Sequence, residues 1–324
     1  MQRTLSIVNL PAVRRNAQRI KNLAKNAKLF AVVKADAYGH GAEEVSRYIE
    51  DMVYGFCVAI VEEGISLRVA GITKPILVFA PPLESYDVLR AKEYSLTLTV
   101  NSVQTARLID GAPFHIKVNT GMNRLGCNLS ELKEVLNTLP PESIEGVYSH
   151  LYAPASTLQS ERQRSIFEKA QSEVKKINPN ILSHLSASGG ILRGGKYLYD
   201  LVRCGILLYG YSPYGFSAEG FEKALKVFAR RTQKTNFIGG GIGYNLADEN
   251  YKSLNTYRLG YADGFFRGIP LGEKTLCMDA FIAKDGGDIV CVLDDAQSYA
   301  KKMNTIPYEV LTSVTRRSER IYER

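Results

Sequence analysis

After Asn9, apolar side chains recur at three- and four-residue steps, at Leu10, Val13, Ala17, Ile20, Leu23 and Ala24, with arginines and lysines between them. That spacing predicts an amphipathic helix, and Asn9 is a residue type that caps one. An apolar run at 29–33 follows, short enough to be a buried strand. The alternation then repeats, with apolar runs at 54–60, 75–80, 96–100, 114–118, 144–149, 181–185 and 202–208. Helix-like or polar segments such as 61–70, 103–110, 129–139 and 160–177 separate them. Eight near-continuous apolar strands alternating with helices predict an α/β fold, a parallel (β/α)8 barrel of the TIM type.

From about residue 226 the segments shorten, glycines cluster at 239–241 and the helical period fades. A smaller, mainly β C-terminal domain is expected there. The division is drawn as a barrel over 10–222 and a β domain over 223–324, with 1–9 free to pack against the latter. The glycine cluster lacks the G-x-G-x-x-G spacing and a strand-to-helix setting, so no dinucleotide site is expected.

Composition changes this picture little. The chain has 324 residues, 45% hydrophobic and 23% charged, an ordinary balance for a globular protein of more than one domain. Its net charge of +8 is spread out, and the pairs Arg230-Arg231 and Arg316-Arg317 are too short to argue for nucleic acid. No apolar stretch suits a signal peptide or a membrane span. Five scattered cysteines suggest reduced thiols, and a cytoplasmic enzyme is expected. His40, His115, His150 and His184 lie too far apart for a local metal motif, so no metal is expected.

The chemistry gathers at strand ends. Lys34 ends the 29–33 run and is followed by a tyrosine and two glycines. An ammonium there is costly unless paired, deprotonated or used covalently, and a desolvated lysine is a nucleophile towards carbonyls. In a barrel, reactive groups sit at the C-terminal ends of strands. Lys34, Arg124, His150, Ser188 and Arg203 all fall at or beyond such ends, which surface accident explains poorly.

Five blocks along the chain carry a likeness. They are Ala31-Val32-Val33-Lys34-Ala35-Asp36-Ala37-Tyr38-Gly39-His40-Gly41, Lys117-Val118-Asn119-Thr120-Gly121-Met122-Asn123-Arg124-Leu125-Gly126, Val202-Arg203-Cys204-Gly205-Ile206-Leu207-Leu208-Tyr209-Gly210, Gly260-Tyr261-Ala262-Asp263-Gly264 and Cys277-Met278-Asp279. In this order and approximate spacing they resemble the alanine racemase family, whose members use pyridoxal 5'-phosphate (PLP). The resemblance covers nearly the whole chain. It implies that Lys34 holds PLP covalently and serves as one catalytic base. Tyr244, from the β domain of a second subunit, is then the base on the opposite face, since racemisation returns the proton on the other side.

Further roles follow from the same resemblance. Arg203 faces the pyridine nitrogen, and a permanent guanidinium there disfavours protonating it, which argues against a decarboxylase. His150 packs by the ring and orients Arg203. Tyr38, Ser188 and the amides of Gly205 and Ile206 bind the phosphate. Arg124 binds the cofactor's phenolic oxygen and the substrate carboxylate, Met278 receives that carboxylate through its amide, and Tyr261 lines the entrance. Lys117 matches a lysine that is carbamylated in many relatives. The implied product is D-alanine for peptidoglycan, made by a cytoplasmic homodimer acting on a small amino acid, with no nucleic-acid or membrane partner. The alternatives are a racemase of the same family for serine or a larger amino acid, and a PLP-binding barrel without turnover. Three departures stand out: a shortened C-terminal half, Ala187 where many relatives have asparagine, and Arg316 near the place of a phosphate-contacting tyrosine, with Thr315 or Arg316 as candidates to replace it.

Overall fold

Asn9 caps the first helix: the Ala12 amide donates to its Oδ1 at 2.7 Å. Helix Leu10–Ala24 then buries Val13, Ala17 and Ile20 and exposes its basic residues, as an amphipathic period requires. The computed structural model describes residues 4–247, 251–267 and 275–324. Within these the chain forms two compact units, one of residues 13–37 and 42–222, the other of 1–12, 38–41 and 223–324.

The strand β1 (Thr4–Asn9) belongs to the second unit. The first unit holds β2 (Lys28–Val32), β3 (Gly55–Val58), β4 (Ile76–Val78), β5 (Leu98–Val100), β6 (Phe114–Lys117), β7 (Ile144–Tyr148), β8 (Leu182–His184) and β9 (Leu201–Cys204). All neighbours pair in parallel, in the orders β4-β3-β2-β9 and β5-β6-β7-β8. Two backbone links close the ring. The Val78 amide donates to Thr97 O at 2.9 Å, and the Arg203 amide donates to Ser186 O at 3.0 Å. The strands are buried on both faces, which is why they appear in the sequence as unbroken apolar runs.

The other unit is mainly β. It adds β10 (Leu225–Asn236), β11 (Gly241–Ile242), β12 (Asn245–Leu246), β13 (Ser253–Tyr257), β14 (Thr275–Leu276), β15 (Phe281–Ala283), β16 (Ile289–Leu293) and β17 (Glu319–Glu323). The sheet runs β14-β15-β13-β10-β1-β17, with β16 also on β10. Residues 10–12 fold with the β unit, and so does the stretch 38–41. Packing within that unit explains it. Tyr38 lies against Tyr308, and Arg320 Nε donates to Gly39 O at 3.0 Å. A Cβ on Gly39, where φ is +82°, would sit 2.5 Å from Thr315 Oγ1.

Candidate active site

Lys34 follows β2 at the C-terminal end of the barrel. The backbone beyond it does something the sequence did not announce: Ala35, Asp36, Ala37 and Tyr38 all hold φ between 51° and 53°. Four consecutive non-glycine residues in the left-handed region cost roughly 1–2 kcal/mol each. Fixed anchors oppose that cost. Glu63 accepts from the Ala35 amide at 2.7 Å and from the Ala59 amide at 2.6 Å, and the Ala37 amide donates to Val33 O at 2.8 Å. The turn fixes where Lys34 starts, and Glu63 ties it to the end of β3. Neither the turn nor Glu63 was foreseen, since Ala-Asp-Ala-Tyr contains no glycine to signal positive φ.

Around Lys34 stand Lys117, Arg124 and Arg203. Burial lowers the Lys34 pKa, and the Arg124 charge lowers it further, while Glu63 opposes both. Lys117, at the end of β6, is buried, and its amine is driven well below its ordinary value by desolvation, then by Arg203, Arg124 and Lys34. Its Nζ lies 4.3 Å from the Tyr148 ring centroid. His150, half-buried after β7, is held neutral by burial and by the same four cations. Among the described residues Glu63 is the only carboxylate entering these balances. Such a place calls for anions.

Arg124 sits in a loop organised by Asn119. That side chain accepts from the Gly121 and Asn123 amides, both at 3.1 Å, and donates to Asn123 Oδ1 at 3.0 Å and Asn128 Oδ1 at 3.1 Å. The Arg124 guanidinium is exposed and makes no hydrogen bond or ion pair among the described residues, so it is available to a ligand.

Arg203, on β9, is 2% exposed. Its Nη1 donates to His184 Nδ1 at 2.7 Å and His184 O at 3.0 Å; its Nη2 donates to Ser149 O at 2.6 Å and Leu185 O at 3.3 Å. Those bonds use all four Nη hydrogens and leave Nε–H as the donor without a partner among the described residues. His150 was expected to orient Arg203, and the structure adds a second histidine to that setting. The histidine hydrogen-bonded to the guanidinium is His184, at the end of β8, while the His150 carbonyl accepts from Gln163 Nε2 at 2.8 Å. His184 in turn meets His115 Nδ1 through Nε2 at 2.7 Å and stacks on Tyr148 at 4.8 Å. His184, His115 and Tyr148 were missed because their residue types in apolar runs look like core. An inward-facing polar residue in each of three parallel strands was the signal available.

The remaining candidates divide between the units. Ser188 begins the short helix Ser188–Arg193, buried, with Oγ 3.5 Å from Cys204 Sγ. Gly205 and Ile206 lead from β9 into the turn Ile206–Tyr209. These join Lys34, Lys117, Arg124, His150 and Arg203 in the barrel unit, while Tyr38 lies in the β unit. Tyr244, between β11 and β12, is 83% exposed. Tyr261 and Met278 are exposed too, on segments joined by Tyr261 N to Cys277 O at 3.1 Å and Ala262 N to Met278 O at 3.0 Å. Arg317 braces both segments, with Nε 3.1 Å from Asp263 and Nη2 2.7 Å from Asp279. Arg316 is exposed without a side-chain partner among the described residues, whereas Thr315 is buried beside Gly39. Among the described residues no His, Cys, Asp and Glu group suits a metal, and no helix is long and apolar enough to cross a membrane.

A family model described as alanine racemase, N-terminal domain, matches residues 8–213. The chain belongs to the alanine racemase family. An alanine racemase of Streptococcus agalactiae is 30% identical, with 98% of each chain covered. One from Carboxydothermus hydrogenoformans is 33% identical over 97% of this chain and 98% of its own. The solved alanine racemase of Clostridium difficile 630 superimposes with a TM-score of 0.91 at 29% identity, covering 100% of this chain and 96% of that one. The Bacillus anthracis alanine racemase, solved with bound L-Ala-P, gives 0.88 at 29% identity, with coverages of 100% and 96%. The protein is thus an isomerase with the alanine racemase fold and activity, its barrel followed by a mainly β domain.

Proposed function

We propose that this alanine racemase works with PLP held on Lys34 and interconverts L- and D-alanine by two bases on opposite faces. The observation that carries the cofactor is the crowd of Lys34, Lys117, Arg124 and Arg203 with so little negative charge among them. A phosphate and a carboxylate are the anions such a place fits, and the strand-glycine turn at Gly205 gives the backbone room for close approach. Ser188, Tyr38 and the Gly205 and Ile206 amides would hold the phosphate. When bound, PLP supplies an electron-withdrawing ring that acidifies the amino acid's α C–H.

The chain's own groups do the rest. Lys34, with its lowered proton affinity, would hold the cofactor and, when its amine is free of it, would take or return the α proton at Nζ. Tyr244 Oη, contributed by a second copy of the chain, handles the proton on the other face. Arg124 binds the substrate carboxylate with the Met278 amide, and Tyr261 lines the approach. Arg203 keeps Nε–H for the ring nitrogen, and a cation there withholds a proton from it. His150 stays neutral beside it. Lys117, buried and without a side-chain hydrogen bond among the described residues, has an amine whose proton affinity is lowered, the direction that carbamylation requires. A homodimer in the cytoplasm supplying D-alanine for peptidoglycan is the setting this reading implies.

The test uses purified protein loaded with PLP. Borohydride should fix the cofactor to the peptide bearing Lys34, and a coupled assay should detect D-alanine formed from L-alanine well ahead of serine or lysine turnover. Label on another lysine, or serine outrunning alanine, overturns the corresponding half of the proposal.

A further inference from the structure

We infer that His115 is a positioning residue for the reaction, acting through His184 to fix the guanidinium of Arg203, although His115 lies two side chains away from any group that would touch the cofactor. The inference rests on the reading of Arg203 as the partner of the ring nitrogen. Its logic is the direction of each hydrogen bond. A guanidinium only donates, so His184 Nδ1, 2.7 Å from Arg203 Nη1, must accept and carry no proton. The His184 proton therefore sits on Nε2, which donates to His115 Nδ1 at 2.7 Å. His115 must accept there, and its own proton is forced onto its Nε2. One arginine thus dictates the tautomers of two histidines in series, and the acceptor on His115 holds His184 in the state that Arg203 needs.

Three further features fit a device of this kind. Burial drives His115 down to about 3 and His184 well below its ordinary value, so neither ring gains the second proton that would break the series. Strand β7 gives up a side chain to make room. A Cβ on Gly146 would lie 2.7 Å from His115 Nδ1 and 2.8 Å from its Cε1, and also 2.7 Å from Leu182 O on the neighbouring strand. Tyr148 stacks on His184 with the ring planes only 5° apart, which blocks rotation of that imidazole. His115 also lines a cavity of about 840 Å³ with Lys28, Thr97, Pro113, Ile144 and Leu182. Those five lie at or just before the starts of β2, β5, β6, β7 and β8, so the series runs through the core from one mouth of the barrel towards the other.

The experiment compares His115→Asn with His115→Leu in the PLP-loaded enzyme and in the cofactor-free protein, with histidine nitrogens labelled for NMR. An asparagine Oδ1 takes the place of Nδ1 and can accept from His184, while leucine cannot. Wild type and His115→Asn should show His184 neutral and protonated on Nε2 down to about pH 5, below the range where a free histidine titrates. The Asn variant should keep kcat within about three-fold. In His115→Leu the single His184 tautomer should be lost and kcat should fall about ten-fold at unchanged KM for alanine, the size expected for one buried hydrogen bond. Equal losses in the two variants, or an unchanged His184 signal in the Leu variant, would reduce His115 to packing and overturn the inference. If the Leu variant does not fold, wild-type spectra still decide, since a His184 protonated on Nδ1 contradicts the series outright. The spectra of cofactor-free protein do not depend on where PLP attaches, so failure of the Lys34 assignment is told apart from failure of this one.

Discussion

The lowered proton affinity of Lys34 has two sources that can be separated by one substitution. Burial lowers its proton affinity, and the charge of Arg124 lowers it further. Removing that charge must raise the Lys34 pKa, so fewer chains carry the neutral amine at a given pH. Borohydride-trapped PLP, followed against pH in cofactor-free protein, should show its midpoint below the ordinary lysine value of 10.5, and Arg124→Leu should move it upward. An unmoved midpoint would mean that burial alone sets the amine. Lys34 and Arg203 were legible in the sequence as candidates because a charge in an apolar run stands out. His115 and His184 were not, because 69 positions separate two rings that meet only when β6 and β8 enclose the same interior.

At the level of elements, the eight barrel strands could be read directly, since a strand covered on both faces has no polar alternation to confuse with a helix. What could not be read is how single strands depart from regularity. Gly146 sits in mid-strand with no need for unusual backbone angles, and the His115 imidazole and the Leu182 carbonyl it faces explain it. Gly146→Ala should therefore lower stability by about 1–3 kcal/mol, the usual range for overpacking a filled core. A urea titration measures this, and an unchanged midpoint would show that the interior has slack. The left-handed turn after Lys34 was equally hidden, because alanine ordinarily favours the right-handed helix. Its geometry is imposed from outside by Glu63 and Val33, a non-local cause that local propensity cannot carry.

For the molecule as a whole, the proposed catalytic pair is divided between two units, with Lys34 on the barrel and Tyr244 exposed on the β unit. If each site draws its bases from two chains, Lys34→Ala and Tyr244→Phe chains are inactive alone but complementary. Mixing them under conditions that exchange subunits should restore part of the activity, because one site in each mixed dimer then has both bases. Confirmed exchange with no recovery would show that each chain works with its own tyrosine or with none. The assignment of β1 to the same unit as 223–324, paired with both β10 and β17, means that this unit cannot finish folding until β17 has been made. The crowd of positive groups at the barrel mouth has a further result at this scale. Without anions the charges of Arg124 and Arg203 are relieved only by Glu63 and by proton loss from the two lysines, which costs stability; a phosphate-bearing ligand then acts as a counter-ion as well as a reagent. Occupancy and durability become one linked equilibrium. In a cell whose cofactor supply falls, the unloaded chains would be the first to open and be degraded, so the amount of enzyme would follow the amount of cofactor without any regulator in between.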